Sequence, residues 1–370
     1  MKDKGLISFF EVKQCGFYKN GSKDEVPIDG ALDEILEKFC AWVDSRDFIQ
    51  TIPWDVSSHQ KRTQIYCKSI AHDETTKDTL LVLWKRFGDD SGKVSGISPD
   101  AKVGVDSGDS IQLDSKVKGQ SAILGQPMYY WIIPSLDIIA TVNFPHSSAA
   151  TFDVCQYLKR CMDYRIDHPS KKVTEKESEH PDTGMPIIRK NVTYWDDGAN
   201  CNLKFKLSAS TKEINSDRAN ADVLANRITH IVIRDTISTF QSDDKDALFK
   251  LWSKVNKKKK FSKNIELVES ANLTPDEVSE ILKIHEKEYN PSNKWINIGF
   301  RESENDSTKW FHKYVTKEHI FLPYLDRSQN YYPAKVVLDK ILKKRDEILL
   351  QLTTNYDLGS DNYDKVVGGE

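Results

Sequence analysis

The chain has 370 residues, with 53 Lys and Arg against 56 Asp and Glu and a formal net charge of −3. That length accommodates two domains at roughly 100–200 residues each, and the near-neutral balance excludes a global positive field, so any nucleic-acid partner needs a local basic patch. No run of about 20 apolar residues suggests a membrane span or a leader segment, which places the chain in the cytoplasm.

The first apolar run, "ISFFEVKQCGFYKN", reads as a strand and places Glu11 and Lys13 two residues apart. Phosphodiester hydrolysis needs carboxylates for a cation and a lysine beside the attacking water, so Glu-x-Lys on a strand is a nuclease cue. The competing reading is the solvated surface of an edge strand. Ile28, Leu32, Ile35, Leu36, Phe39 and Val43 then recur at three- and four-residue steps, the pattern of a helix with one buried face. Its neighbourhood offers Asp29 and Asp33 as further carboxylates for the nuclease alternative, which would require Mg2+.

"RTQIYCKSI" (62–70) and "TLLVLWKRF" (79–87) read as a hairpin. Residues 88–126, dense in Gly, Ser, Asp and Lys, read as a mobile insertion. The glycines of 88–108 lack the following apolar helix that would aim a dipole at a phosphate. "MYYWIIPSLDIIATVNF" supplies two strands joined near 134–136. A helix over 149–164 then closes an N-terminal α+β domain, residues 1–166.

Residues 167–190 begin as a polar, proline-flanked stretch and read as a linker to a C-terminal α+β domain, 191–352. There "CNLKFKLSAS" alternates Leu203, Phe205 and Leu207 with Lys204 and Lys206, and "RITHIVIRD" gives another strand. A helix over 243–255 follows, and Thr274-Pro-Asp-Glu277 spells an N-cap, a proline at the first helical position and a capping box. A final helix after Pro333 carries Val336, Val337, Ile341, Ile348 and Leu349, and 353–370 reads as a flexible tail. The fold class expected is therefore α+β, with two units, each a small mostly antiparallel sheet with packed helices.

No P-loop, Gly-x-Gly-x-x-Gly, Gly-x-Ser-x-Gly or His-Glu-x-x-His motif occurs. The six cysteines, Cys15, Cys40, Cys67, Cys155, Cys161 and Cys201, lack zinc-site spacing and read as buried free thiols, with no metal and no cofactor implied. The strongest local charge is "KVNKKKKFSK", where Lys254, Lys257, Lys258, Lys259, Lys260 and Lys263 occur without a carboxylate. Such a run neutralises phosphates without reading bases. Lys309 and Lys313, interleaved with Trp310, Phe311 and Tyr314, extend the candidate: aromatic faces stack on unpaired bases while cations follow the backbone. The competing reading for that segment is a hairpin with its aromatic face in the core.

Taken in order, "KQCGFYKN", "PIDGALDEILEKF", "QIYCKSI" with "LLVLWKR", "YYWIIPSLDIIATVNFPHSSAATFDVCQYL" and "HKYVTKEHIFLPYLDRSQNYYPAKVVLDKILKKRDEIL" give a layout that resembles the RexA-type phage-exclusion (abortive infection) family. The resemblance implies a cytoplasmic homodimer that binds DNA with little sequence preference and works beside a separately encoded membrane effector. The function expected is thus a non-catalytic DNA-binding sensor or regulator in antiviral defence. The alternatives are the Glu11 and Lys13 nuclease and a protein-binding scaffold.

Overall fold

A computed structural model describes residues 2–21, 26–44, 46–56, 62–87, 93–97, 110–114, 116–117, 120–179, 186–216, 219–238, 262–293, 295–325 and 330–352. The fold is mixed α and β, and every strand pairing among these residues is antiparallel. Two compact units form, Met1–Thr211 with Lys317–Lys343, and Lys212–Thr316 with Lys344–Glu370.

The first unit is organised by one long strand, β1 (Lys2–Lys19). Over Phe10–Lys19 it pairs with β12 (Cys201–Thr211), and over Lys2–Ser8 it pairs with β17 (Lys317–Pro323). Its other edge pairs with β9 (Ile138–Asn143) over Leu6–Glu11. β8 (Gly125–Ile133), β3 (Thr79–Arg86) and β2 (Ile65–His72) continue outward from β9. On the far side of β12 lie β11 (Pro186–Asp196) and β10 (Lys171–Glu179), completing nine strands. This sheet is larger than the small one expected from the sequence.

The hairpin expected over 62–87 forms, and the helix expected from Ile28 forms from Leu32, with Ile28 exposed ahead of it. β2 and β3 pair antiparallel with a bulge between Cys67 and Ser69, and β8 and β9 are joined by a 3-10 turn at Pro134–Leu136 that ends on Asp137 in the left-handed region, φ 50. Helices α1 (Leu32–Val43) and α2 (Thr151–Tyr164) cover one face of the sheet. Leu32, Ile35, Leu36, Phe39, Val154, Leu158 and Met162 bury against Leu81, Leu83, Tyr130, Ile139, Leu203, Phe205 and Leu207. Gly16 is required where it stands: at φ +120 a Cβ would lie 2.4 Å from the Asp29 carbonyl, which instead accepts the Phe17 N–H at 2.8 Å.

Residues 167–190 depart from the linker expected there. β10 and β11 pair along their length, from Lys171 with Tyr194 to Glu179 with Pro186. The division between units falls after β12 and again before β17, because both strands are held by the same β1. Within 88–126, short pairings join β4 (Lys93–Ile97) to β5 (Ser110–Asp114) and β6 (Lys116–Val117) to β7 (Gln120–Ser121). The rest of 88–119 lies outside the described residues, as does the tail from 353. The single final helix expected after Pro333 is two, α5 (Ala334–Leu342) and α6 (Arg345–Leu349). α5 buries Ala334, Val337, Leu338 and Ile341, while Val336 stays exposed.

The second unit has a four-stranded sheet, ordered β14 (Ser262–Ser270), β13 (His230–Ser238), β15 (Asn297–Arg301) and β16 (Lys309–Trp310). Its core joins Phe300, Phe311 and Tyr314 to Leu224 of α3 (Ala221–Ala225) and to Val278 and Leu282 of α4 (Pro275–Glu288). Thr274 caps α4 with the expected box: its hydroxyl accepts the Glu277 N–H, and Glu277 accepts the Thr274 N–H at 2.8 Å. Residues 309–323 are not one hairpin, since β16 belongs to this unit and β17 to the first; Phe311 and Tyr314 do enter the core. The helix expected over 243–255 lies outside the described residues.

Candidate functional site

Face alternation along β10, β11, β12 and β1 follows from register. Tyr194, Leu203, Phe205, Leu207 and Phe17 point to the helices, so their neighbours point the other way. Those neighbours are Lys172, Thr174 and Lys176 on β10, Asn191, Thr193 and Trp195 on β11, Asn202, Lys204, Lys206 and Ser208 on β12, and Gln14 and Tyr18 on β1. No position of this set is acidic; Glu11, opposite Ser210 on the same face, bounds it and is paired with Lys13. No described helix covers it, because α5 contacts β2, β3 and β17 at the other end of the sheet.

Aromatic rings order the lysines of this face. Lys206 Nζ stands 4.9 Å from the Tyr18 ring centre and Lys172 Nζ stands 4.4 Å from that of Trp195. The Lys206 stem helps bury Tyr18, while Lys172, Lys176 and Lys204 are exposed. None of the four makes an ion pair among the described residues. Asp197 bounds the patch at the β11–β12 turn, where its Oδ1 accepts Trp195 Nε1 at 2.7 Å. By contrast Lys171, on the helix side, donates to the Ile166 carbonyl just past α2.

The residues singled out from sequence are placed differently. Lys309 Nζ is 2.7 Å from Glu302 and Lys313 Nζ is 2.8 Å from Glu213, so each already has a counter-charge. Lys254, Lys257, Lys258, Lys259 and Lys260 lie outside the described residues; Lys263 lies in β14, paired with Ile237. On the second unit's sheet, Arg234 stands 4.2 Å from the Trp310 ring and 4.8 Å from the Trp295 ring, with Glu266 Oε2 at 2.6 Å. That stack spends the inner aromatic faces and the guanidinium on each other.

The carboxylates and lysine of the nuclease alternative are each engaged locally. Glu11 Oε2 and Lys13 Nζ pair with each other at 2.8 Å. Asp29 Oδ1 accepts the Gly30 N–H at 2.8 Å, and Asp33 Oδ1 accepts that of Glu34 at 2.9 Å. Glu11 and Asp33 both act on Asp137, whose carboxyl is pushed up by burial first and then by Asp33 and Glu11. Among the described residues no group of three His, Cys, Asp or Glu is placed to hold a metal ion.

Two polar clusters have the outline of catalytic groups. In the first unit, His146 Nε2 lies 3.3 Å from the Tyr129 hydroxyl and Nδ1 lies 3.9 Å from Asp3. The Tyr332 hydroxyl stands 2.7 Å from Asp3 Oδ2, and its N–H donates to Tyr129 at 2.8 Å. Burial pushes both tyrosines upward, leaving them neutral hydroxyls that tie residue 332 to the sheet. In the second unit, Tyr289 stacks between His285 and His312, each 5.0 Å away, and Asn297 bridges the two imidazoles. A shallow hollow between α1 and β2 includes Cys40, Asp44 and His72, but burial raises the Cys40 thiol to about 11, away from a reactive thiolate.

All six cysteines are free, with Cys67, Cys155 and Cys161 buried and the others half-buried. No described helix is long and apolar enough to cross a membrane. No family model, no curated protein and no solved structure matches the chain. The resemblance to RexA-type proteins therefore stands on the segments quoted for it.

Proposed function

We propose that the protein is a non-catalytic, sequence-tolerant DNA-binding sensor or regulator, holding the phosphate backbone on the uncovered sheet face of its first unit. One observation carries this: Lys172, Lys176, Lys204 and Lys206 share a face with no acidic position among them and no ion-pair partner among the described residues. Cations so arranged exchange condensed counterions for protein contacts, which gives affinity without base reading. The lysine run at 254–263 is a second phosphate-binding element under the same proposal. The antiviral role, the homodimer and the separately encoded membrane effector are supported by the resemblance alone.

A mobility shift on labelled duplex, at low and raised salt, with Mg2+ and with chelator, tests the proposal. Retarded, intact DNA that is released by salt is the expected result. DNA shortened only in the Mg2+ lanes would restore the Glu11 and Lys13 nuclease. Absence of any shift would leave the protein-binding scaffold.

A further inference from the structure

The β10–β11 ribbon stands out from the rest of the sheet. β11 pairs with β12 only at Tyr194, Trp195 and Asp196, so over Val173–Glu179 and Pro186–Val192 the two strands have only each other. At about 3.3 Å per residue those seven pairs extend roughly 23 Å. Val173 and Ile188 are more than half exposed on one face, at 52% and 56%, and Thr174, Lys176 and Asn191 are exposed on the other, so neither face of the ribbon is a core surface. Its two faces differ in chemistry. One carries Glu175, Glu177 and Glu179, with Lys190 paired to Glu175 at 3.1 Å. The other carries Lys172, Thr174 and Lys176, with Thr193 and Asn191 from β11, and it continues the lysine face of the sheet.

We infer that this ribbon enters the major groove of duplex DNA with its Lys172, Thr174, Lys176 and Asn191 face toward the bases, deepening the DNA-binding proposal on which it rests. A two-stranded ribbon matches a groove about 12 Å wide, whereas single strands offer no groove to fill. The acidic face fixes the orientation, because turning it inward would set three carboxylates against phosphates and base acceptors. Continuity with Lys204 and Lys206 lets the sheet body hold backbone while the ribbon lies in the groove. Lysines on long stems reach the phosphates flanking the groove, and hydroxyl and amide donors meet N7, an acceptor both purines present, so the insertion adds affinity with little sequence preference.

The test uses the full chain and a short duplex with guanines throughout, probed by methylation at guanine N7, the major-groove atom. Wild-type protein should protect N7. The variant T174A/K176A/N191A, whose changes are all at exposed sites, should lose that protection while still retarding the DNA, and K176R should retain it. K204A/K206A should bind more weakly yet give the same protection once saturated. N7 reactivity unchanged by wild-type protein, or protection that persists in the ribbon variant, overturns the ribbon inference and leaves DNA binding standing. Binding to single strands alone, or self-association through β10 that the ribbon variant abolishes, does the same. Failure to retard any DNA overturns both.

Discussion

Replacing Lys204 and Lys206 by alanine removes half of the four lysines on the proposed face; both side chains point away from Leu203, Phe205 and Leu207, and the Lys206 change also uncovers part of the Tyr18 ring. Four phosphates neutralised by this face contribute about −3.6 to the log–log salt slope on duplex DNA, a factor of about 150 between 50 and 200 mM salt, in addition to the share of the 254–263 run. Two contribute about −1.8, a factor of about 12 over the same range. Fluorescence anisotropy of a labelled duplex across a salt series reads the slope directly, with thermal melting of both proteins as the folding control. A variant with the wild-type slope and wild-type stability would refute the assignment of backbone contacts to this face.

Three further outcomes concern the fold that presents it. Trp131→Phe removes the Nε1 donor that meets Asp78 Oδ2 at 2.9 Å, and Asp78 is fully buried, so urea unfolding should show a loss of about 1–3 kcal/mol; an unchanged midpoint contradicts this. Asp137 has a folded pKa raised above its unfolded value by burial and by Asp33 and Glu11, so the native state holds its proton more tightly and the site's contribution falls as pH rises between the two values. Asp137→Asn keeps a residue suited to φ 50, so its Tm should slightly exceed wild type at pH 7, the site being exposed, with the gain shrinking as pH falls toward the unfolded value of about 3.9 and gone below it. Burial raises the Cys67 thiol to about 12 and that of Cys155 to about 11, so both should resist alkylation at pH 8 until the protein is unfolded; rapid native labelling of either refutes their placement.

Much of the first unit was legible because its elements bury one face. Leu32, Ile35, Leu36 and Phe39 repeat at helical spacing, and β2, β3, β8 and β9 are apolar runs bounded by turns. The start of α4 was legible for a different reason: capping is local chemistry within four residues. β10 was hidden because both of its faces meet solvent, so "KKVTEKESE" has no apolar alternation and reads like a linker. Pairing of β1 with both β12 and β17 joins segments more than 100 residues apart in sequence, a link that local patterns do not carry. The basic face left half a signal. Lys204 and Lys206 alternate visibly with apolar neighbours, but only pairing through β11 puts them on the same face as Lys172 and Lys176. The lysines prominent in sequence, Lys309 and Lys313, are countered by Glu302 and Glu213, which the linear pattern does not reveal.

The most direct test of the central claim is lysine acetylation of the folded protein, with and without saturating duplex DNA, read residue by residue by mass spectrometry. DNA bound to the first unit's sheet should protect Lys172, Lys176, Lys204 and Lys206 and leave the ion-paired Lys309 and Lys313 unchanged. Equal reactivity at those first four lysines with DNA bound would contradict the account.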